Sequence, residues 1–147
     1  TEIKRDVENV KIVVGISGAV ASGKTTAAKT LERQGFHYCR FSQILARQLE
    51  EQNLPVTRDN LQALGIETRN SRFGQRKLHL AVAAQTKGAT QVVIDGLRHP
   101  EDHAFLFENW GYKSFHIHID APDSTRHARM TATSRPKPPD IAKILPV

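Results

Sequence analysis

A single cysteine, Cys39, stands in 147 residues, so neither an internal disulfide nor a thiolate zinc cluster can form. A small side chain of this kind fits a buried strand position better than a nucleophilic role. Aromatic residues are only 6% of the chain, and none interleave with the basic residues to stack nucleobases. No apolar run approaches the roughly 18–20 residues that would span a bilayer. Nor do the first residues read as a secretory leader, because they mix charges and the first apolar run, Val10 to Ile16, leads into glycines and not into a cleavage site. A cytoplasmic address without a membrane partner is the resulting expectation. Low-complexity tracts and repeats at solenoid spacing are absent too. A single domain over residues 1–147 is expected, large enough to bury a core without disulfides or a structural metal.

What is abundant is positive charge. A formal charge of +6 calls for an anionic partner: nucleic acid, membrane headgroups or phosphorylated small molecules. The arginines are scattered singly (Arg47, Arg58, Arg69, Arg72, Arg98, Arg126, Arg129, Arg135) instead of forming a basic arm. Dispersed arginines that converge on folding suit a phosphate pocket, and nucleic acid is not the expected partner.

Val10 to Ile16 is almost continuously apolar and β-branched, the pattern of a central strand covered on both faces. Lys24 to Gln34 reads as a helix closed by Gly35, His37 to Phe41 as a short strand, and Ser42 to Gln52 as a helix that Pro55 cannot continue. Thr57 caps a short helix ending at Gly65. A longer helix follows from Thr68 to Lys87, with Phe73, Leu80, Ala81 and Ala84 inward. Gln91 to Ile94 is the third strand, with Asp95-Gly96 at its carboxyl end; Pro100 opens a helix that Gly111 closes. Ser114 to Ile119 and Pro122 to Thr133 complete the alternation as strand and helix. The order predicts an α/β fold with a doubly wound parallel sheet in a three-layer sandwich, whose ligands bind outside the carboxyl ends of the strands.

Gly18-Ala19-Val20-Ala21-Ser22-Gly23-Lys24-Thr25 matches GxxxxGK[ST], the Walker A pattern, between a buried strand and a helix. From average composition the four fixed positions arise by chance in on the order of one chain in two hundred of this length. The flanking elements lower that further, so the loop is read as a phosphate cradle. Its glycines let successive backbone N–H groups point at an anion, and the helix dipole adds its positive end. Gly18, Ala21, Ser22, Gly23, Lys24, Thr25 and Thr26 are the expected nucleotide-binding residues. Lys24 would sit between the β- and γ-phosphates, and the Thr25 hydroxyl is a hard oxygen ligand for Mg²⁺.

With this loop, the segment Val93-Ile94-Asp95-Gly96-Leu97-Arg98-His99-Pro100, and Phe41-Ser42 followed by Arg47, the chain resembles the P-loop nucleotide kinases. It looks most like the branch holding adenylate kinase and dephospho-coenzyme A kinase. The resemblance implies a Mg-ATP-dependent phosphotransferase acting on a nucleotide or similar phosphorylated small molecule. Asp95, at a strand end beside the loop, would join Thr25 in the Mg²⁺ shell; the alternative is an Asp-Gly turn. Arg98, Ser42 and Arg47 match residues that hold the acceptor phosphate in these kinases. Arg69 and Arg72 would line the same pocket or a solvated helix face. Arg126 and Arg129, one turn apart, with Arg135 beyond them, correspond to the lid that steadies the transferring phosphoryl group; the other reading is an exposed basic helix.

The chain departs from that pattern in two places. Its tail from Pro136 is too short for a full lid, a fifth strand and a terminal helix together, which points to a fragment or a cut-down fold. The aspartate pair of dephospho-coenzyme A kinases near the second strand is missing. The alternative function is therefore a nucleotide-sensing, regulatory ATPase domain of a longer chain. His116 and His118 share one side of a strand and, lacking a nearby third ligand, read as packing or surface residues and not as a metal site.

Overall fold

A computed structural model describes residues 9–19, 21–131 and 141–146, the last stretch by its backbone alone. In chain order the elements are β1 (Ile12–Gly18), α1 (Lys24–Arg33), β2 (His37–Arg40), α2 (Phe41–Glu51), α3 (Arg58–Asn70), α4 (Gly74–Gln85), β3 (Gln91–Leu97), α5 (Pro100–Trp110), a 3₁₀ turn (Gly111–Lys113), β4 (Ser114–Asp120), α6 (Asp123–Thr131) and β5 (Ile141–Pro146). The sheet order is β2-β3-β1-β4-β5. β1 pairs in parallel with both β3 and β4, and β2 pairs in parallel with β3. β5 runs antiparallel to β4. The expected parallel sheet therefore holds for the strands β1 to β4, and the edge strand departs from it.

Alternation along the central strands divides the interior in two. Val13, Val92 and Ile94 face a cluster with Phe41, Ile44 and Leu45 of α2, Leu78 and Val82 of α4, and Leu106 and Trp110 of α5. Val14, Ile16 and Val93 face the other way, onto Ala28 of α1, Tyr38 and Ile119. A parallel sheet covered on both faces needs strands that are apolar at successive positions, which is why β1 reads as a continuous run.

The local signals at the end of α1 and the start of α3 behave as expected. Gly35 takes φ +100°, and the Gly35 and Phe36 N–H groups close the end of α1 on the carbonyls of Glu32 and Leu31. The Thr57 hydroxyl accepts from the Asn60 N–H at 3.1 Å, capping α3.

The region between α3 and α4 differs from expectation. Gly65 does not stop a helix; α3 continues through it to Asn70. The break falls at Ser71–Phe73, where Phe73 adopts φ 63° and is 61% exposed. Gly74 then starts α4 so close to α3 that a Cβ there would stand 2.1 Å from the Thr68 carbonyl oxygen. The buried face of α4 is Leu78, Val82 and Ala83, whereas Leu80 is 39% exposed and Ala84 is exposed. Ala81 packs only partly against the core. Apolar residues surround this helix on most sides, so periodicity alone could not select the face that α2 and the sheet would cover.

Candidate nucleotide-binding site

The phosphate loop leaves the carboxyl end of β1 at the middle of the sheet. A Cβ on Gly18 would stand 2.6 Å from both the Ile119 carbonyl oxygen and Ser22 Oγ, so only glycine lets the end of β1 lie this close to β4 and to the loop. Ala21 and Gly23 take φ 62° and 98° and turn the chain back over the start of α1. A left-handed alanine costs on the order of 1 kcal/mol, strain of the kind that gathers at binding loops. Val20 lies outside the described residues. Ser22 is buried, and its Oγ has no protein partner among the described residues.

Lys24 is the first residue of α1, with Thr25 and Thr26 beside it, all half-buried. Burial pulls the Lys24 pKa below the ordinary lysine range; Arg98 pulls the same way, Asp95 opposes, and Arg40 and Arg58 add to the lowering. An ammonium so placed is short of negative charge.

Asp95 is 1% exposed and belongs to β3 itself, opposite Ile16 of β1 and Arg40 of β2 in register. Asp95-Gly96 is thus no chain-reversing turn. Gly96 takes φ 94°, and the pairing slips by one residue between Ile16 and Ser17, so the strand bulges beside the loop. Thr25 Oγ1 donates to Asp95 Oδ2 at 3.0 Å, and the Tyr38 hydroxyl donates to the same oxygen at 2.7 Å. Burial and that bond push the Tyr38 pKa up, and Lys29 lies over its ring, 4.1 Å from the centroid. Asp95 Oδ1 is buried without a partner among the described residues.

The bare Oδ1 beside the Thr25 hydroxyl fits a hard cation that takes one carboxylate, one hydroxyl and the rest of its shell from water and phosphate, the manner of Mg²⁺. Among the described residues no cluster of three or more His, Cys, Asp or Glu forms a metal cage. A cation here would therefore depend on the nucleotide for its remaining ligands.

The other expected residues divide. Arg98 is exposed and lines a groove of about 720 Å³ with Ser17, Gly18, Lys24, His103 and His118. Arg129 Nη1 donates to the Ala21 carbonyl at 2.9 Å, tying α6 to the phosphate loop. Arg126 pairs with Asp123 on its own helix. Ser42 is half-buried in the first turn of α2, at the end of the sheet where the loop lies. Arg47 lies elsewhere, in a groove between α2 and α4 with Ile44, Gln48, Glu51, Ala81 and Ala84. Arg69 forms a 3.2 Å exposed ion pair with Glu101, and Arg72 lies over Phe73, 5.0 Å from the ring centroid. Neither of these contacts involves Lys24. Arg135 lies outside the described residues.

No motif in the sequence marks Arg40 or Tyr38, and Arg58 stands there only as one of the dispersed arginines. Arg40 ends a strand and Tyr38 alternates with it by two, so strand-end position was a usable signal for both. Arg58 opens α3 after Pro55, and nothing local marks its electrostatic effect on Lys24.

A phosphate-binding loop at the carboxyl ends of a central parallel sheet, with a buried acid on the neighbouring strand, defines a P-loop nucleotide-binding domain. The AAA domain family matches residues 14–141, and the chain belongs to it. The UPF0200 protein PAE1629 of Pyrobaculum aerophilum is 29% identical over 127 residues, covering 86% of this chain and 69% of its own length. The UPF0200 protein TK1334 of Thermococcus kodakarensis is 28% identical over 132 residues, covering 84% and 69%. Among solved structures, TT1252 from Thermus thermophilus overlaps 85% of this chain and 73% of its own at 19% identity and a TM-score of 0.49, too loose to add to what the sheet shows. No described helix is long and apolar enough to cross a membrane.

Proposed function

We propose that this domain is a Mg-ATP-dependent phosphotransferase that moves the γ-phosphoryl group of ATP to a nucleotide or similar phosphorylated small molecule. The observation that carries the reading is the groove that Arg98 shares with Lys24, where Arg98, Arg40 and Arg58 all oppose the Lys24 charge and Asp95 is the one acid that favours it. Such an excess of positive charge exceeds what the Walker loop alone uses, and it suits a second anionic ligand.

In this reading the loop from Gly18 to Thr26 binds the ATP phosphates and Lys24 neutralises the β,γ-bridge. Bound Mg²⁺ supplies Lewis-acid neutralisation of the phosphate oxygens. Asp95 and Thr25 hold its position, and Tyr38 keeps the Asp95 carboxylate oriented. Arg98, Arg40 and Arg58 hold the acceptor's own phosphate. The phosphate oxygen of a nucleoside monophosphate is already ionised and attacks the γ-phosphorus without surrendering a proton, whereas a hydroxyl acceptor such as that of dephospho-coenzyme A releases its proton to water. In both, the bond to the bridging oxygen breaks and ADP leaves with the electron pair. Positioning and charge neutralisation then do most of the catalysis. Arg129, bonded to Ala21, links α6 to the phosphate loop, while Arg126 on the same helix is already paired with Asp123.

The test is steady-state transfer to nucleoside monophosphates, deoxynucleotides and dephospho-coenzyme A, with hydrolysis measured in parallel. Arg58→Ala and Arg98→Ala should each raise the acceptor KM about tenfold or more and leave ADP affinity unchanged. If no acceptor is phosphorylated and both variants hydrolyse ATP like the wild type, a regulatory ATPase replaces the kinase.

A further inference from the structure

Beside the phosphate loop, at the carboxyl ends of β1 and β4, lies a polar cluster that the nucleotide reading does not use. Ser17 and His118 are register partners across these strands, as are Gly15 and His116, so the two histidines share a face with the serine. Ser17 Oγ lies 2.5 Å from His116 Nε2 and 2.9 Å from His118 Nδ1. His103 of α5 packs edge-on against His116 with ring centroids 4.0 Å apart. His116 is 6% exposed, and its Nδ1 is buried without a partner among the described residues. Ser17, His103 and His118 line the same groove as Lys24, Arg98 and His99.

These contacts determine where the ring protons sit. Burial, then the neighbouring His103 and His118, push the His116 pKa down to about 4, so at pH 7 the ring is neutral with one N–H. Leaving a buried N–H without an acceptor is the costlier choice, so the bare nitrogen is the unpartnered Nδ1 and the proton is on Nε2. Nε2 then donates to Ser17 Oγ. The Ser17 hydroxyl, whose side-chain hydrogen-bond contacts among the described residues are these two rings, donates in turn to His118 Nδ1. A neutral His118 must consequently carry its proton on Nε2. A protonated His118 carries one there as well. In either state its outer ring edge is an N–H donor and not a base.

We propose that His118 is a phosphoryl-oxygen subsite: an N–H donor, held in one tautomer by the buried Ser17–His116 pair, that binds an anionic oxygen in the groove shared with Lys24 and Arg98. Ser17 and His116 are positioning residues, because they act through the His118 ring. The identity of the anion rests on the phosphotransferase reading, which offers two sources for it: the γ-phosphoryl group of ATP or the phosphate of the acceptor.

Two measurements decide the matter. Two-bond proton–nitrogen NMR spectra of the histidine rings at neutral pH read the tautomers directly. Nε2–H is expected on both His116 and His118, and an Nδ1–H tautomer with bare Nε2 on His118 would overturn the proposal. Calorimetry then compares wild type, His118→Ala and His118→Gln, whose amide N–H₂ reaches the place of Nε2. The probes are ADP, a non-hydrolysable ATP analogue, and inorganic phosphate added to the analogue complex, where the γ position is already filled. His118→Ala should weaken one probe by about tenfold or more, with glutamine restoring most of it. A loss on the analogue alone assigns the γ-phosphoryl group, and a loss on inorganic phosphate assigns the acceptor. If both bind His118→Ala as they bind wild type, or if glutamine is as poor as alanine, the subsite is wrong while the phosphotransferase reading stands. If wild type fails to bind ADP, that reading falls, and the tautomer spectra still decide the state of His118.

Discussion

Two regions of the molecule each bury one aspartate to 1% exposure, Asp95 on β3 and Asp102 in the first turn of α5, and they treat it in opposite ways. Asp102 is complete. Its Oδ1 accepts from His79 Nε2 at 2.6 Å and Gln75 Nε2 at 3.0 Å, and its Oδ2 from the Arg98 and His99 backbone N–H groups at 2.9 and 3.0 Å. The His79 ring also stacks on Phe105, with centroids 4.6 Å apart, so the carboxylate ties α4 to α5 and fixes the backbone that presents Arg98. At Asp95 one oxygen takes both Thr25 and Tyr38 while the other takes nothing described. A satisfied buried network holds a fold together, and one left open marks where a ligand completes it.

The largest effect expected from this contrast is on stability. Asp102→Ala strands His79, Gln75 and two backbone N–H groups, and should cost about 3–5 kcal/mol in denaturant unfolding. Asp95→Asn, which keeps the Thr25 and Tyr38 contacts in shape, should stay within about 1 kcal/mol of wild type. Equal losses would erase the distinction. The pH dependence has a definite sign. Burial alone would raise the Asp102 pKa, but the bonds from His79, Arg98, His99 and Gln75 outweigh it and hold the carboxyl below the usual value. Its contribution is thus fully present above about pH 4 and is lost as pH falls through the lower folded value. His116 weakens the fold over an earlier window, because the unfolded ring takes up a proton near pH 6.5 and the folded one only at about 4. Acid unfolding should therefore proceed in these two windows, and Asp102→Asn should flatten only the lower one.

A smaller effect is expected at Lys24, and on binding in place of folding. Lys24→Ala should weaken ATP by roughly 2–3 kcal/mol, the value of a charge-assisted contact, in isothermal calorimetry. Folding stability should hold or rise, since burial and the neighbouring arginines already oppose the charge. A destabilised fold with unchanged ATP affinity would move Lys24 into the scaffold alongside Asp102.

The parts of this comparison that were legible in the sequence are those set by local backbone demands. The apolar run of β1, the Walker spacing, Gly35 at φ +100° and the Thr57 cap each oblige a few consecutive residues to take one conformation. Asp95 was legible as an acid beside the loop, though its place inside a bulged strand was not. Convergence in space was harder to read. Helical spacing states which residues share a face but not which neighbour covers it, so it does not reveal that Arg47 faces a groove between α2 and α4 or that Arg58 bears on the charge of Lys24. The antiparallel β5 escaped for a related reason. A short proline-containing tail carries no strand period of its own, and an edge position tolerates the proline at 146.

The most direct test is the stabilisation that Mg-ATP brings to wild type and to Asp95→Asn, measured as a thermal shift with ATP held fixed and Mg²⁺ added or withheld. A ligand at a hundred times its dissociation constant adds about 2.7 kcal/mol, so the wild-type shift should be large and should grow with the metal. In Asp95→Asn the shift with ATP alone should persist and the Mg²⁺ increment should vanish. An undiminished Mg²⁺ increment in that variant would contradict the account, leaving the open oxygen of Asp95 without a role in the site.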